Sequence, residues 1–299
     1  MLKPDLGAMV IKLRPQIKRK RSITIYPNQG YQVYALGLAL VQRSNPTLSE
    51  ALHNTSAITP FVTSGLLPEG ELFWRPYSVT KRDQMWVRFV GLRADVVAAL
   101  DAFTANPGEC FQIGHHNWLI ETIMWDRHAW AGRSNYVQLM TAKRDVRQID
   151  MEFFTPTTFH STYGMNEPLP IPSRIFTSLH RRWQAIGGGI LHEHLDTFIN
   201  YYVALSRQNT QTAIVRLKRN GEIGFTGRAM FTIKTSNEKF NKRDAGKLTD
   251  DELALRDLLQ SCPEEIEKLI YAIGVLSSFA FYSGVGAKTT QGMGMVRML

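Results

Sequence analysis

Gly284-Val285-Gly286-Ala287-Lys288-Thr289-Thr290-Gln291-Gly292-Met293-Gly294, followed by Met295-Val296-Arg297-Met298-Leu299, is the stretch around which the chain is organised. Its four glycines form Gly-x-Gly, five residues, Gly-x-Gly. Without Cβ atoms they allow φ > 0 and leave amide N–H groups uncovered, which suits a phosphate. Lys288 and Arg297 add positive charge, and Thr289, Thr290 and Gln291 add neutral donors. The pattern predicts a loop that holds a phosphodiester backbone.

Two other phosphate loops are excluded by order. A Walker loop runs Gly-x-x-x-x-Gly-Lys-Ser/Thr into a helix, whereas Lys288 precedes the second glycine pair. A dinucleotide fingerprint follows a strand and opens a helix; here an apolar helical run precedes the glycines and a strand-like run follows. A plain helix-to-strand connection needs only one C-capping glycine.

The chain has 299 residues, 44% of them apolar, which suits two domains of about 150 residues with a core each. The polar stretch Thr141 to Val146 is the expected boundary, giving an N-terminal domain over 1–145 and a C-terminal domain over 146–299. Lys plus Arg number 35 against 26 Asp plus Glu, and the formal charge of +9 fits a protein that meets an anionic polymer. Cys110 and Cys262 lie far apart, so neither a disulfide framework nor a thiolate metal site is implied and a reducing compartment is expected. Leu269 to Gly286 is uncharged for eighteen residues, the lower edge for a membrane span, but its serines and glycines favour a core helix. Met1 to Val10 lacks a secretory pattern. The expectation is a cytoplasmic protein with no membrane partner, metal or cofactor.

Met9 to Arg14 alternates apolar with basic residues, the period of a half-buried strand with a positive outer face. The basic run Lys18, Arg19, Lys20, Arg21 follows as a candidate phosphate-contacting patch. Tyr31 to Gln42 reads as a helix, and a short second helix from Thr47 runs into His53. Glu71 to Thr80 with Trp86 to Leu92 reads as a hairpin, Asp95 to Phe103 as a helix, and Cys110 to Gly114 with Trp118 to Ile123 as a last hairpin. Strand, helix, two strands, helix, strand is the split βαβ order of ferredoxin-like and RNA-recognition domains.

The second half repeats that order. Arg147 to Phe159 reads as a strand, and Ser173 to Ile186 as a helix with Ile175, Phe176, Leu179 and Trp183 on one side and Arg174, His180, Arg181 and Arg182 on the other. His180 is thereby expected to face nucleic acid. A hairpin is expected around Asn220-Gly221. Asp250 to Gln260 is helical, and Ser261, Pro263 and Glu264 have the spacing of an N-cap, first-turn proline and capping box for a further helix leading into the glycines. His192 and His194, at i and i+2, point to different helix faces and predict a surface cluster rather than a metal site. The fold class is α+β: two tandem ferredoxin-like domains, a C-terminal glycine-rich loop, and a basic cleft between two sheets.

At this point the glycine loop resembles the signature of the CRISPR-associated endoribonucleases that cut precursor CRISPR RNA within its repeats, in the RAMP superfamily. Ser44-Asn45-Pro46-Thr47-Leu48, Leu52-His53-Asn54 and Phe61-Val62-Thr63-Ser64 are similar to the family's segment after the first helix. Phe154-Thr155-Pro156-Thr157-Thr158-Phe159, with Pro168-Leu169-Pro170 and Trp183, resembles the start of its second domain, and Gly224-Phe225-Thr226-Gly227-Arg228 its hairpin.

The resemblance implies a metal-independent endoribonuclease in which a ribose 2′-OH attacks the adjacent phosphorus, leaving a 2′,3′-cyclic phosphate and a 5′-OH. That chemistry needs a proton acceptor, a proton donor and charge stabilisation. His53 falls on the family's catalytic position. Leu38 and Thr59 stand where some members carry a tyrosine and a lysine, and Tyr34, one turn before Leu38, is the candidate substitute. The candidate RNA-binding residues are Lys18, Arg19, Lys20, Arg21, Arg174, Arg181, Gly284, Gly286, Lys288, Thr289, Gly292 and Gly294. Implied partners are CRISPR repeat RNA and a CRISPR effector complex. A second reading stays open beside cleavage, that of a non-cutting RNA-binding subunit of the same superfamily.

Overall fold

The computed structural model describes residues 3–17, 21–26, 29–55, 58–70, 76–142, 146–160, 164–217 and 220–299. The first unit contains β1 (Leu6–Pro15), α1 (Gly30–Ser44), α2 (Pro46–Asn54), β2 (Phe61–Thr63), β3 (Met85–Gly91), α3 (Ala94–Asp101) and β4 (His116–Met124). Its strands lie in the order β2-β3-β1-β4, with Cys110–Ile113 outside β4, and these pairings are antiparallel. The second unit contains β5 (Gln148–Thr157), α4 (Pro172–Ile186), α5 (Leu195–Tyr202), β6 (Val203–Leu217), β7 (Asn220–Ile233), α6 (Glu265–Ser283) and β8 (Val296–Met298). Its order, β6-β7-β5-β8, repeats the first and is again antiparallel. Each unit is a ferredoxin-like α+β fold.

In α1 the buried stripe Val33, Gly37, Leu40 and Val41 follows the helical period. A Cβ on Gly37 would lie 2.5 Å from Phe61 and 2.8 Å from Phe89, so glycine lets the helix seat directly on β2 and β3. The chain then reverses at Asn45, whose side chain accepts the Leu48 amide at 3.0 Å, and Pro46 opens α2.

Four readings from the sequence change. β1 is buried on both faces: Met9, Ile11 and Leu13 join the core beneath α1 and α3, while Leu6 and Ala8 join the core of the second unit. No positive outer face survives, because Lys12 pairs with Glu69 at 2.8 Å and Arg14 with Glu121 at 2.6 Å. The partner of β3 is the three-residue β2, whereas Tyr77–Thr80 pairs with Ser22–Ile25; residues 71–75 lie outside the described residues. Leu217 pairs with Asn220, so Asn220-Gly221 already belongs to β7 rather than to the turn. Ser261 ends the helix Asp250–Ser261, where its hydroxyl donates to the Asp257 carbonyl at 2.8 Å. The capping box is one helix earlier, at Thr249 and Glu252.

Among the described residues, α6 alone is long and apolar enough to cross a membrane, and 67% of that window is buried inside the protein. It packs on α4 and reaches β1 and β3 of the first unit, so the two sheets share a hydrophobic cluster.

Arg88 of β3 locks this junction. It is 1% exposed, and its guanidinium donates to the carbonyls of Trp130 and Phe281, each at 2.7 Å. The cation lies 4.6 Å from the Phe281 ring centroid, and no carboxylate faces it among the described residues. Burial pushes its pKa down to about 9, the mark of a charge held by dipoles and a π face. Arg88→Ala would orphan both carbonyls, and we expect a loss of about 3 kcal/mol. Urea unfolding measures it; an unchanged midpoint would mean that the units are joined by packing alone.

Candidate functional site

All four glycines of the terminal loop have positive φ: 64° at Gly284, 80° at Gly286, 83° at Gly292 and 70° at Gly294. Close approach is the second reason for them. A Cβ on Gly286 would sit 2.3 Å from the Thr158 carbonyl oxygen, and one on Gly294 would sit 2.0 Å from that of Val285. The loop is folded against its own protein. Ala287 N–H donates to Thr158 at 2.9 Å, Gly294 N–H to Pro156 at 3.0 Å, and Val285 N–H to Gly294 at 2.8 Å. These amides are therefore not the uncovered donors that the glycine pattern suggested. Met293 packs beneath Val215 and Leu217 of β6.

The first unit grips the same loop. Thr63 of β2 donates its hydroxyl proton to the Thr290 carbonyl at 2.8 Å, and Ser64 forms a parallel bridge with Gly292. From the other side Arg182 of α4 donates to the Ser283 carbonyl, to the Thr289 hydroxyl at 2.9 Å and to the Gly286 carbonyl at 3.3 Å. Burial lowers the Arg182 pKa to about 10. Ser283 is the last residue of α6, so the cation also meets the negative end of that helix dipole.

Between the loop, α4 and the strap after α2 lies a cleft of about 490 Å³. Arg174, Arg181 and Arg182 line it, with His160, Gly286 and, from the first unit, Ile58. Arg174 is exposed but paired with Glu167 at 2.9 Å. Arg181 is exposed and has no ion-pair partner among the described residues. The same holds for Lys288, held in a left-handed conformation at φ 58° in front of the short helix Thr289–Gln291. Thr289 is buried beneath Arg182. Arg297 is not free, since it pairs with Glu152 at 2.6 Å and stacks on Trp130.

His53 occupies the last turn of α2 and is exposed. It does not line the cleft; it lies five positions before Ile58, a span of at most about 18 Å. Tyr34 of α1 donates its hydroxyl proton to the Leu52 carbonyl at 3.2 Å, next to His53, and burial raises its pKa. Arg21 is exposed just before Ser22–Ile25; Lys18, Arg19 and Lys20 lie outside the described residues. His180 is corrected. It is 4% exposed on the core side of α4, with Nδ1 2.8 Å from Asp196 of α5, and it faces no cleft. Among the described residues no group of three or more His, Cys, Asp or Glu is arranged to hold a metal ion.

His160 and the clamp role of Arg182 escape a reading of the chain in one dimension. Arg182 follows Arg181 in sequence and lines the same cleft, and the helical step turns its guanidinium onto the loop while Arg181 stays exposed. Gly286→Ala would force both a left-handed alanine and a carbonyl clash. We expect about 2 kcal/mol of destabilisation, read as a lowered melting temperature; a shift of the size of ordinary surface substitutions would show that the loop does not depend on that close contact.

Residues 151–296 match the family described as CRISPR-associated endoribonuclease Cas6. No curated protein matches the chain by sequence. Among solved structures, a Cas6 product complex superposes with a TM-score of 0.71 at 22% identity, covering 99% of this chain and 100% of that one. A second Cas6 product complex gives 0.69 at 23% identity over 98% and 99%. The Cas6 of Thermus thermophilus gives 0.66 at 22% identity over 100% of both. At these identities the superpositions speak for the fold, and the family match is confined to residues 151–296. The C-terminal half of the chain is thus similar to the CRISPR-associated endoribonuclease Cas6 family over residues 151–296, and the whole chain shares the fold of solved Cas6 structures.

Proposed function

We propose that this chain is a cytoplasmic endoribonuclease that cuts precursor CRISPR RNA within its repeats, without a metal ion. The 2′-OH attacks the adjacent phosphorus, the P–O5′ bond breaks, and the ends are a 2′,3′-cyclic phosphate and a 5′-OH. Relatives of this fold include a product complex, a substrate-mimic complex and a RAMP protein binding different RNA substrates. The observation that carries the proposal is the cleft at the seam of the two units, where an unpaired arginine, the glycine loop and Ile58 of the first unit converge.

In this reading Arg181 and Lys288 contact phosphates, since each is exposed and uncommitted. Arg174 contributes from the same helix, its charge partly offset by Glu167. Gly286 gives the RNA backbone a low wall in the cleft, and Gly284, Gly292 and Gly294, buried with Thr289, hold that wall in place. Arg21 and the run before it extend the positive track. His53 performs one of the two proton transfers. Tyr34 acts through position, because its proton already goes to Leu52 and so fixes the turn that carries His53. The non-cutting reading, a subunit that retains RNA in a CRISPR effector complex, is favoured by one observation: Leu38 and Thr59 offer no titrating partner to His53.

Single-turnover cleavage of synthetic RNA bearing the host's own repeat, in EDTA, tests the proposal. Wild type should cut, His53→Ala should be slower by about 10²–10⁴-fold, and a 2′-deoxy nucleotide at the scissile position should abolish cutting. Tight binding with no cutting by wild type would transfer the assignment to the non-cutting subunit. Arg181→Ala and Lys288→Ala should each weaken RNA binding across sequences and lower the salt slope of log K by about 1; an unchanged slope would remove that residue from the phosphate track.

A further inference from the structure

We propose that His160 is a second proton-transfer residue, acting from the C-terminal unit on the phosphodiester that His53 serves from the N-terminal unit. The inference rests on the cleavage reading above. In-line attack moves two protons in one reaction: one leaves O2′ as the O2′–P bond forms, and one reaches O5′ as the P–O5′ bond breaks. A single imidazole takes one of these roles in the bond-breaking step. Tyr34 donates to Leu52, and burial raises its pKa, so it is a poor second candidate. One imidazole accepting the O2′ proton and one imidazolium giving its N–H proton to O5′ balance the step.

His160 is placed for this. It lines the cleft with Arg181, Arg182, Gly286 and Ala287. It is exposed, and its ring makes no hydrogen bond or ion pair among the described residues. Three other histidines are committed. His180 faces Asp196, His128 packs at a tilt on Trp86 and accepts the Trp130 amide at 3.2 Å, and His192 faces Glu265 at 3.5 Å.

The mount of His160 is rigid. Phe159–His160 pairs with Asn166–Glu167, and Phe159 is buried in the core. Asn166 is tied to Glu222 of β7 at 2.9 Å and Glu167 to Arg174 of α4. Two residues before His160, the Thr158 carbonyl accepts the Ala287 amide of the glycine loop. A phosphate lying along that loop therefore passes the imidazole and the free guanidinium of Arg181, which supplies the charge stabilisation that a pentavalent phosphorus needs. The volume of about 490 Å³ is of the size that holds a small ligand.

The experiment is the pH–rate profile of single-turnover cleavage, with repeat RNA as the probe, for wild type, His53→Ala, His160→Ala and the shape-preserving His160→Gln. A bell is expected for wild type. Both His160 variants should bind RNA like wild type, cut about a hundred-fold more slowly or worse, and lose one limb of the bell, while His53→Ala loses the other. If either folded His160 variant keeps both limbs, His160 is at most an RNA contact and the inference falls while the cleavage reading stands. If wild type binds RNA but does not cut it, both fall.

Discussion

The seating of the glycine loop is the constraint on which the rest depends. Its position is over-determined: Arg182 holds it from α4, Thr63 and Ser64 hold it from β2, and the Thr158 and Pro156 carbonyls hold it from β5 and its continuation. Side chains at Gly286 or Gly294 would collide with the Thr158 and Val285 carbonyls respectively. The glycines thus do less to bare amides than to let four pieces of backbone meet at the seam of two sheets. The loop joins α6 to β8 and bridges to Ser64 beside β2, so it belongs to both units at once. Whatever binds it feels the relative placement of the two sheets.

That placement is costly to change. β1 is buried on both faces, a β-sheet sandwiched between its own helices and α6 of the other unit. Arg88 and its two carbonyl acceptors close the junction with a charge that would be far less stable if either acceptor moved. The cleft is therefore shaped by a rigid joint rather than by a lid. Charge is segregated on top of this frame. Residues 244–267 hold eight acidic and two basic side chains in a chain whose overall charge is +9, so the excess positive charge lies elsewhere. Such asymmetry orients an approaching polyanion before contact.

What the sequence made legible was whatever depends on local period. The two βαββαβ runs, their helices and the strand after the glycines are readable because burial imposes the 2.0 and 3.6 periods. Illegible were features set by tertiary partners distant in sequence. Lys12 and Arg14 look like a solvated positive face because nothing local announces that Glu69 and Glu121 will neutralise them. β2 is three residues long and carries no strand signal of its own; it is a strand because β3 lies beside it. His180 sits among arginines in sequence, yet the helical phase turns it into the core toward Asp196 while Arg181 turns outward. Ser261 has the spacing of a cap, but the preceding helix extends to include it.

The same distinction explains the split character of the site. His53 is legible from its neighbours, because the turn at Asn45 and Pro46 that starts α2 is written locally. His160 is not, because its importance arises only when the second unit folds and the Thr158 carbonyl meets Ala287. With His53 and His160 in their proposed roles, two half-sites on two units keep proton-transfer groups apart in the unfolded chain and in either unit alone. The phosphodiester then has reacting neighbours on both sides only where the seam is closed. In that arrangement the energy that closes the joint, through Arg88 and the shared core, also sets the catalytic geometry, so positioning is built in before RNA arrives.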